Sequence, residues 1–210
     1  MDKVANQVLK WIGVKAPWVE DALRPYVKSR KCVPYDVSSK VSEWLTKHII
    51  TDLRINDTEY DNDPLLNSSW VTAIVIPGMS VCCNSAGGTW NSIVCNESVC
   101  CSYDYGVKHL WLTDNSTCYS TYGYSAGVSF GYNQISGNYF LTYSASITPG
   151  SSFTVKGVIL AVGNTGSSCA SVTCNPSTCP NCDMPLLYNS VNIPVSANTA
   201  YSIAYNVYLG

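Results

Sequence analysis

The chain has 210 residues, of which 46% are hydrophobic and 12% charged, with a formal net charge of −2. That is ample apolar material for one large or two small domains, with about half the usual share of charge. A surface built from Ser, Thr, Asn, Tyr and Gly suits contact surfaces and glycan-covered proteins better than a freely diffusing enzyme.

Charge divides the chain. Residues 1–54 carry ten Lys and Arg against six Asp and Glu, whereas residues 55–210 carry two against eight. No run of about 18 apolar residues is present to span a bilayer. The opening MDKVANQVLKWIGVK also lacks the apolar centre and cleavage site of a signal peptide.

The basic segment reads as short helices. Val4, Val8, Trp11 and Ile12 mark the first, and Pro17 stands in the first turn of a second, Trp18 to about Leu23. Val41, Trp44, Leu45, His48 and Ile49 recur at i, i+3, i+4, i+7 and i+8, one stripe of a third helix that Asp36, Ser38 or Ser39 would cap. Pro25 and Pro34 are expected to keep these helices short. Three such helices make a poor isolated domain but a good docking element, with Trp11, Trp18, Val41, Trp44, Leu45 and Ile49 as candidate oligomer-interface residues. Replacing Trp44 by Asp is then expected to prevent assembly and leave the β fold intact. A small helical cap on the β domain is the competing reading. The basic excess is compatible with nucleic acid, acidic lipid or an acidic partner, but only Lys28 to Lys31 cluster, so an ordinary solvated face is the simpler reading.

Residues 55–68 read as a polar linker. Within it Asp57, Glu59, Asp61 and Asp63 alternate, which in extended backbone puts four carboxylates on one side. Calcium would relieve their repulsion, but the glycine and closing glutamate of an EF-hand are missing and a solvated hinge is simpler. No cofactor is expected.

Residues 69–210 read as a β domain. Strands are expected at Trp70 to Ile76, His109 to Thr113, Tyr122 to Tyr132, Tyr139 to Ile147, Phe153 to Gly163 and Tyr201 to Leu209. Tyr122 to Tyr132 alternates an aromatic face for the core with a Gly/Ser face, Gly123 to Gly131, open to a second backbone and hence a second candidate interface. Phe153 to Gly163 is apolar on both faces, as in a central strand. The predicted fold is mainly β: a short N-terminal helical segment followed by an antiparallel β-sandwich of jelly-roll-like order, stapled by disulfides.

Ten cysteines supply the candidate staples: Cys82, Cys83, Cys95, Cys100, Cys101 and Cys118 in one cluster, Cys169, Cys174, Cys179 and Cys182 in another. Both lie in Ser/Asn/Gly/Pro-rich sequence where packing cannot hold a loop, so crosslinks restrict it instead. No connectivity is assigned, and Cys32 is left over. Zinc is the competing chemistry, since Cys179 and Cys182 form a CxxC with Cys169 and Cys174 nearby, but a ribbon needs two such knuckles. A redox CxxC would need a βαβ context. Disulfides without a signal peptide point to a thermophilic archaeal cytoplasm or to a particle that leaves its host by assembly, and a virus of such a host satisfies both.

Catalysis finds little support, and no enzyme is expected. His48 lies on an apolar stripe, His109 precedes a strand, and beyond residue 70 the only acids are Glu97, Asp104, Asp114 and Asp183. There is neither a nucleophile elbow nor a phosphate-binding loop. Asn56, Asn67, Asn96 and Asn115 head glycosylation sequons.

The run SFTVKGVILAVGN, followed by a loop and MPLLYNSVNIPVSANTAYSIAYNVYLG, resembles the C-terminal β modules of virion appendage proteins. With the helical N-terminal part, the cysteine loops and the length, the chain resembles the tail adaptor proteins of spindle-shaped fuselloviruses infecting Sulfolobales. The resemblance implies a structural protein of the virion tail, assembled in the host cell. It implies a cyclic homo-oligomer that joins the nozzle protein and major capsid protein to the tailspike protein, with host-surface contact left open. The alternative is a receptor- or glycan-binding surface protein of a virion or cell envelope, in which Tyr103, Tyr105 and Tyr119 would stack on sugars.

Overall fold

The computed structural model describes residues 2–29, 33–60, 65–66, 71–76, 78–79, 81–82, 104–114, 123–164 and 183–210. Two antiparallel sheets and four helices account for most of them.

Helix α1 (Asp2–Lys15) buries Val4, Val8 and Ile12, the face its spacing marks. It turns at Ala16 into α2 (Pro17–Ser29). The end of the Glu20 side chain of α2 lies where a Cβ at Gly13 would stand, so the two helices are close at this corner. Helix α2 runs on through Pro25 past the predicted end at Leu23. Pro25 is exposed, so solvent can satisfy the Asp21 carbonyl that the missing N–H leaves unpaired.

Helix α3 (Tyr35–Thr46) begins after Pro34 with no side-chain cap. Asp36, Ser38 and Ser39 therefore lie inside the helix rather than capping it, and Ser38 is buried with its hydroxyl 2.9 Å from Thr72 Oγ1. The helix stops at Thr46, so Ile49 does not extend its stripe but opens strand β1 (Ile49–Ile55). β-Branched residues and the Asn56–Asp57 turn beyond them win over helical spacing.

That turn also changes the reading of the linker. Asn56 and Asp57 have φ of 48° and 65°, the left-handed pair of a two-residue hairpin, and β2 (Thr58–Tyr60) folds back on β1 with Ile55 opposite Thr58. Arg54 binds Glu59 across it and Asp52 along its own strand, so Glu59 meets a cation rather than a row of carboxylates. Asp61 and Asp63 lie outside the described residues.

Strand β3 (Leu65–Leu66) is followed by α4 (Val71–Val75), where a strand was predicted. Thr72, Ala73, Ile74, Val75 and Ile76 are all buried, and a run buried on every side carries no periodicity to separate helix from strand. Strand β4 (Val81–Cys82) pairs with the start of β5 (Asp104–Thr113).

The strongest alternating run divides at Val128 into β6 (Gly123–Gly127) and β7 (Ser129–Ile135). Strand β6 pairs with β5, and β7 pairs with β8 (Asn138–Ile147) in the other sheet. One stretch of chain thus joins both sheets. The β7–β8 turn is only Ser136 and Gly137, both with positive φ.

Strands β9 (Phe153–Asn164), β10 (Met184–Val195) and β11 (Tyr201–Leu209) complete the sheets. The five-stranded sheet runs β2-β1-β11-β8-β7, and the six-stranded sheet runs β3-β10-β9-β5-β4 with β6 also on β5. As its two apolar faces require, β9 lies inside its sheet, and β11 lies inside the other.

One core serves sheets and helices alike. Leu110, Val158 and Leu160 of the six-stranded sheet join Leu141, Ile203 and Val207 of the five-stranded one, with Val8, Ile12, Leu23, Val41 and Leu45 from the helices. The Tyr205 hydroxyl crosses between the sheets to lie 2.8 Å from both the Val158 carbonyl and Asn189 Oδ1. Tyr143 donates to the carbonyl of Ile74 at 2.7 Å, fixing α4 to β8. Helix α4 also touches β5 and β11, one strand of each sheet. Among the described residues no helix is long and apolar enough to cross a membrane.

Candidate functional site: exposed apolar surfaces and a buried carboxylate

The six predicted interface residues do not share one surface. Val41 and Leu45 are buried in the common core, turned inward within the subunit and not available to a neighbour. Trp44 is half-buried and stacks on His48 with ring centroids 3.9 Å apart, and His48 Nδ1 lies 2.7 Å from the Trp44 carbonyl. Ile49 is half-buried in β1, where it lies opposite Leu209. Trp11 is also half-buried, with Lys15 Nζ 4.4 Å above its ring. Trp18 alone of the six is open to solvent, at 52% exposure, and Val14, at 86%, stands on the other side of the same α1–α2 corner. The sequence reading missed Val14. The signal was there: Val14 falls outside the Val4, Val8, Ile12 stripe.

A second surface is the free side of β6 and β7. Nothing lies within 4 Å of a Cβ built on Gly127 or Gly131, and Ser125 and Ser129 are exposed, so the Gly/Ser face is open. The aromatic face is graded. Tyr124, Val128 and Phe130 are half-buried, whereas Tyr132 is exposed.

The six-stranded sheet carries a polar cluster that the sequence did not reveal. His109 lies inside β5, which begins at Asp104 rather than at His109, and shares one face with Trp111 by the period of two. Asp183 is fully buried, and its Oδ2 lies 2.5 Å from His109 Nδ1 and accepts from Trp111 Nε1 at 2.7 Å. Its Oδ1 has no hydrogen-bond partner among the described residues. A Cβ at Gly163 would collide with that oxygen, so glycine in β9 makes the seat for the carboxylate. Beyond it, Trp111, Ile159 and Tyr188 lie opposite one another across β5, β9 and β10 and form a small apolar cluster with Ala161. Burial raises the Tyr188 phenol above its ordinary range. Chemically, a buried carboxylate beside Nδ1 fixes the orientation of the imidazole. Among the described residues no group of three metal-ligating side chains is present. These bonds fix Asp183, next after Cys182, against the sheet.

Of the cysteines, only Cys82 has a described backbone, in β4 opposite Asp104. Cys32, Cys83, Cys95, Cys100, Cys101, Cys118, Cys169, Cys174, Cys179 and Cys182 lie outside the described residues, as do Asn67, Asn96, Asn115, Tyr103 and Tyr119. Asn56 is exposed in its hairpin turn, with Oδ1 accepting from the Ser202 N–H at 2.9 Å. Only the backbone of Tyr105 is described, paired with Val81 and Asn164. Comparison of the chain with protein families, with curated proteins and with solved structures finds no match.

Proposed function

We propose that the protein is a structural subunit of a virion appendage, a tail adaptor of the spindle-shaped archaeal virus type, and that its work is assembly rather than catalysis. The observation that carries this reading is the α1–α2 corner, where Val14 and Trp18 face solvent although the same helices bury Val8, Ile12, Val19 and Leu23 inside the subunit. An exposed tryptophan and an exposed valine on the two helices of one packed corner make a docking surface. The helices are anchored in the common core, so a load on that corner passes directly into both sheets. In this reading the subunits form a ring through the helical corner, and the ring joins nozzle and capsid on one side to tailspikes on the other. The cysteine-rich loops are disulfide staples on a jelly-roll-like sandwich.

Native mass of the non-reduced protein by light scattering tests the proposal, alone and with Trp18→Asp. A closed ring of several copies, lost in Trp18→Asp with circular dichroism unchanged, supports it. Undiminished assembly in the variant overturns it. Trp44→Asp is the poorer test, because Trp44 packs on the core and on His48 and its loss would disturb the fold as well.

A further inference from the structure

The edges of the two sheets are unequal. Strands β2, β3 and β4 end their sheets with three, two and two residues, β6 lies on β5 as a further edge of five, and β2 carries Glu59 bound to Arg54. Short, charged edges resist pairing with other chains. Strand β7 ends the five-stranded sheet with seven residues, SFGYNQI, without charge, proline or a register shift against β8. From Asn115 to Val155 the chain has no Lys, Arg, Asp or Glu at all.

The backbone of β7 is turned for pairing. Val128 N–H donates to the Lys108 carbonyl in β5 and Gln134 N–H donates to Asn133 Oδ1, so both point away from β8. By the alternation of a strand, Phe130 and Tyr132 present their N–H and C=O groups on that same free side. Tyr132 is 49% and Ile135 47% exposed, although both are large and apolar. Gly131 has neither a positive φ nor a crowding neighbour, so nothing inside the subunit requires a glycine that weakens the strand. Such a glycine marks the close approach of another backbone.

We infer that β7 is a self-pairing edge: a second copy of this chain adds its own β7 antiparallel, about a two-fold axis at Gly131. A second copy is the occupant that fits. An uncharged edge meets itself without repulsion, and no other sheet end among the described residues matches its length. With Gly131 opposite Gly131, Phe130 of each copy faces Tyr132 of the other, both through groups that point outward. Centring the pair on Tyr132 would instead require Gln134 N–H, which the Asn133 side chain already holds. Within one copy Phe130 stacks on Tyr132, with centroids 6.4 Å apart and planes 8° from parallel. Pairing therefore assembles four rings on one face, the aromatic cross-strand contact that most favours a sheet. The two five-stranded sheets become one continuous sheet through an isologous contact. This surface is separate from the α1–α2 corner and stands whether or not the tail-adaptor reading holds.

The experiment uses the full-length, non-reduced protein in three forms: wild type, Gly131→Lys and Tyr132→Pro. Each is followed by sedimentation over a dilution series and by hydrogen exchange of the 129–135 segment. Lysine at 131 enters open space in the subunit but places two ammonium groups at the axis, and proline at 132 removes an outward N–H while sparing the bonds to β8. We expect concentration-dependent protection of the Phe130 and Tyr132 amides in the wild type, and pairing at least about tenfold weaker in both variants. Amides at 130 and 132 that exchange at the same rate at every concentration overturn the inference, even if a variant fails to fold. Unchanged self-association in a folded Gly131→Lys protein does the same. Trp18→Asp separates the two surfaces, because it should abolish any ring and leave the β7 protection in place.

Discussion

The two sheets share a core but treat their outer faces in opposite ways. Across β5, β9 and β10 the six-stranded sheet carries the buried row Trp111, Ile159 and Tyr188, with Asp183 locked beside it. Across β8, β11 and β1 the five-stranded sheet carries the polar row Thr142, Asn206 and Asp52, in which Thr142 Oγ1 donates to Asn206 Oδ1 at 3.0 Å and Arg54 closes the end on Asp52. One sheet is buried on both faces along these strands and encloses Asp183 Oδ2 between His109 and Trp111. The other is covered on one face, only partly exposed on the second, where Asn206 is buried between half-buried Thr142 and Asp52, and free along β7. Stability and availability are thereby divided between two sheets of one fold.

The largest effect that would break this contrast is at Asp183. Asp183→Ala strips Trp111 Nε1 and His109 Nδ1 of their acceptor inside the protein, and we expect a loss of about 3 kcal/mol in denaturant unfolding. A loss below about 0.5 kcal/mol would show that the cluster is not enclosed as described.

Next comes the bond between the sheets. Tyr205→Phe removes the hydroxyl shared by Val158 and Asn189, with an expected cost of about 1 to 2 kcal/mol by thermal melting. The same phenol gives the account its pH dependence. Burial pushes Tyr205 and Tyr143 well above the ordinary tyrosine range, so the folded state resists ionisation that the unfolded chain accepts. Their contribution is complete below about pH 10 and falls as pH rises further, because the unfolded state then binds fewer protons than the native one. Alkaline unfolding followed by tyrosinate absorbance should show these two phenols ionising together with loss of structure. Gradual ionisation ahead of unfolding would contradict their burial.

The smallest effect belongs to the polar row of the five-stranded sheet. Asn206→Ser shortens its link to Thr142 and Asp52, and we expect a loss of about 1 kcal/mol, since Asn206 is buried but both its partners are only half-buried. A cost as large as that of Asp183→Ala would erase the distinction between the two faces.

The sequence carried the strands well where alternation or two-sided apolarity was long. Strands β8, β9 and β11 fall where their patterns put them, and the buried stripe of α1 was readable from Val4, Val8 and Ile12. It carried less where tertiary context decides. The run through Ile76 is apolar on all sides and folds as a helix, and the pattern from Tyr122 to Tyr132 does not announce that the chain changes sheets at Val128. The Asn56–Asp57 hairpin had a signal, two residues tolerant of positive φ between Ile55 and Thr58, which the surrounding acids obscured. The Asp183 cluster joins residues more than 70 positions apart, and no local pattern reports that His109, Trp111 and Gly163 converge on one carboxylate.

The central claim is that the exposed surfaces of this fold exist for assembly. Light scattering of the non-reduced chain after size exclusion, with and without Trp18→Asp, tests it most directly. We expect the wild type to run as a closed oligomer of several copies and Trp18→Asp to lose the ring while keeping its circular dichroism. A wild type that stays monomeric at every concentration, or a variant that assembles as the wild type does, would contradict the account.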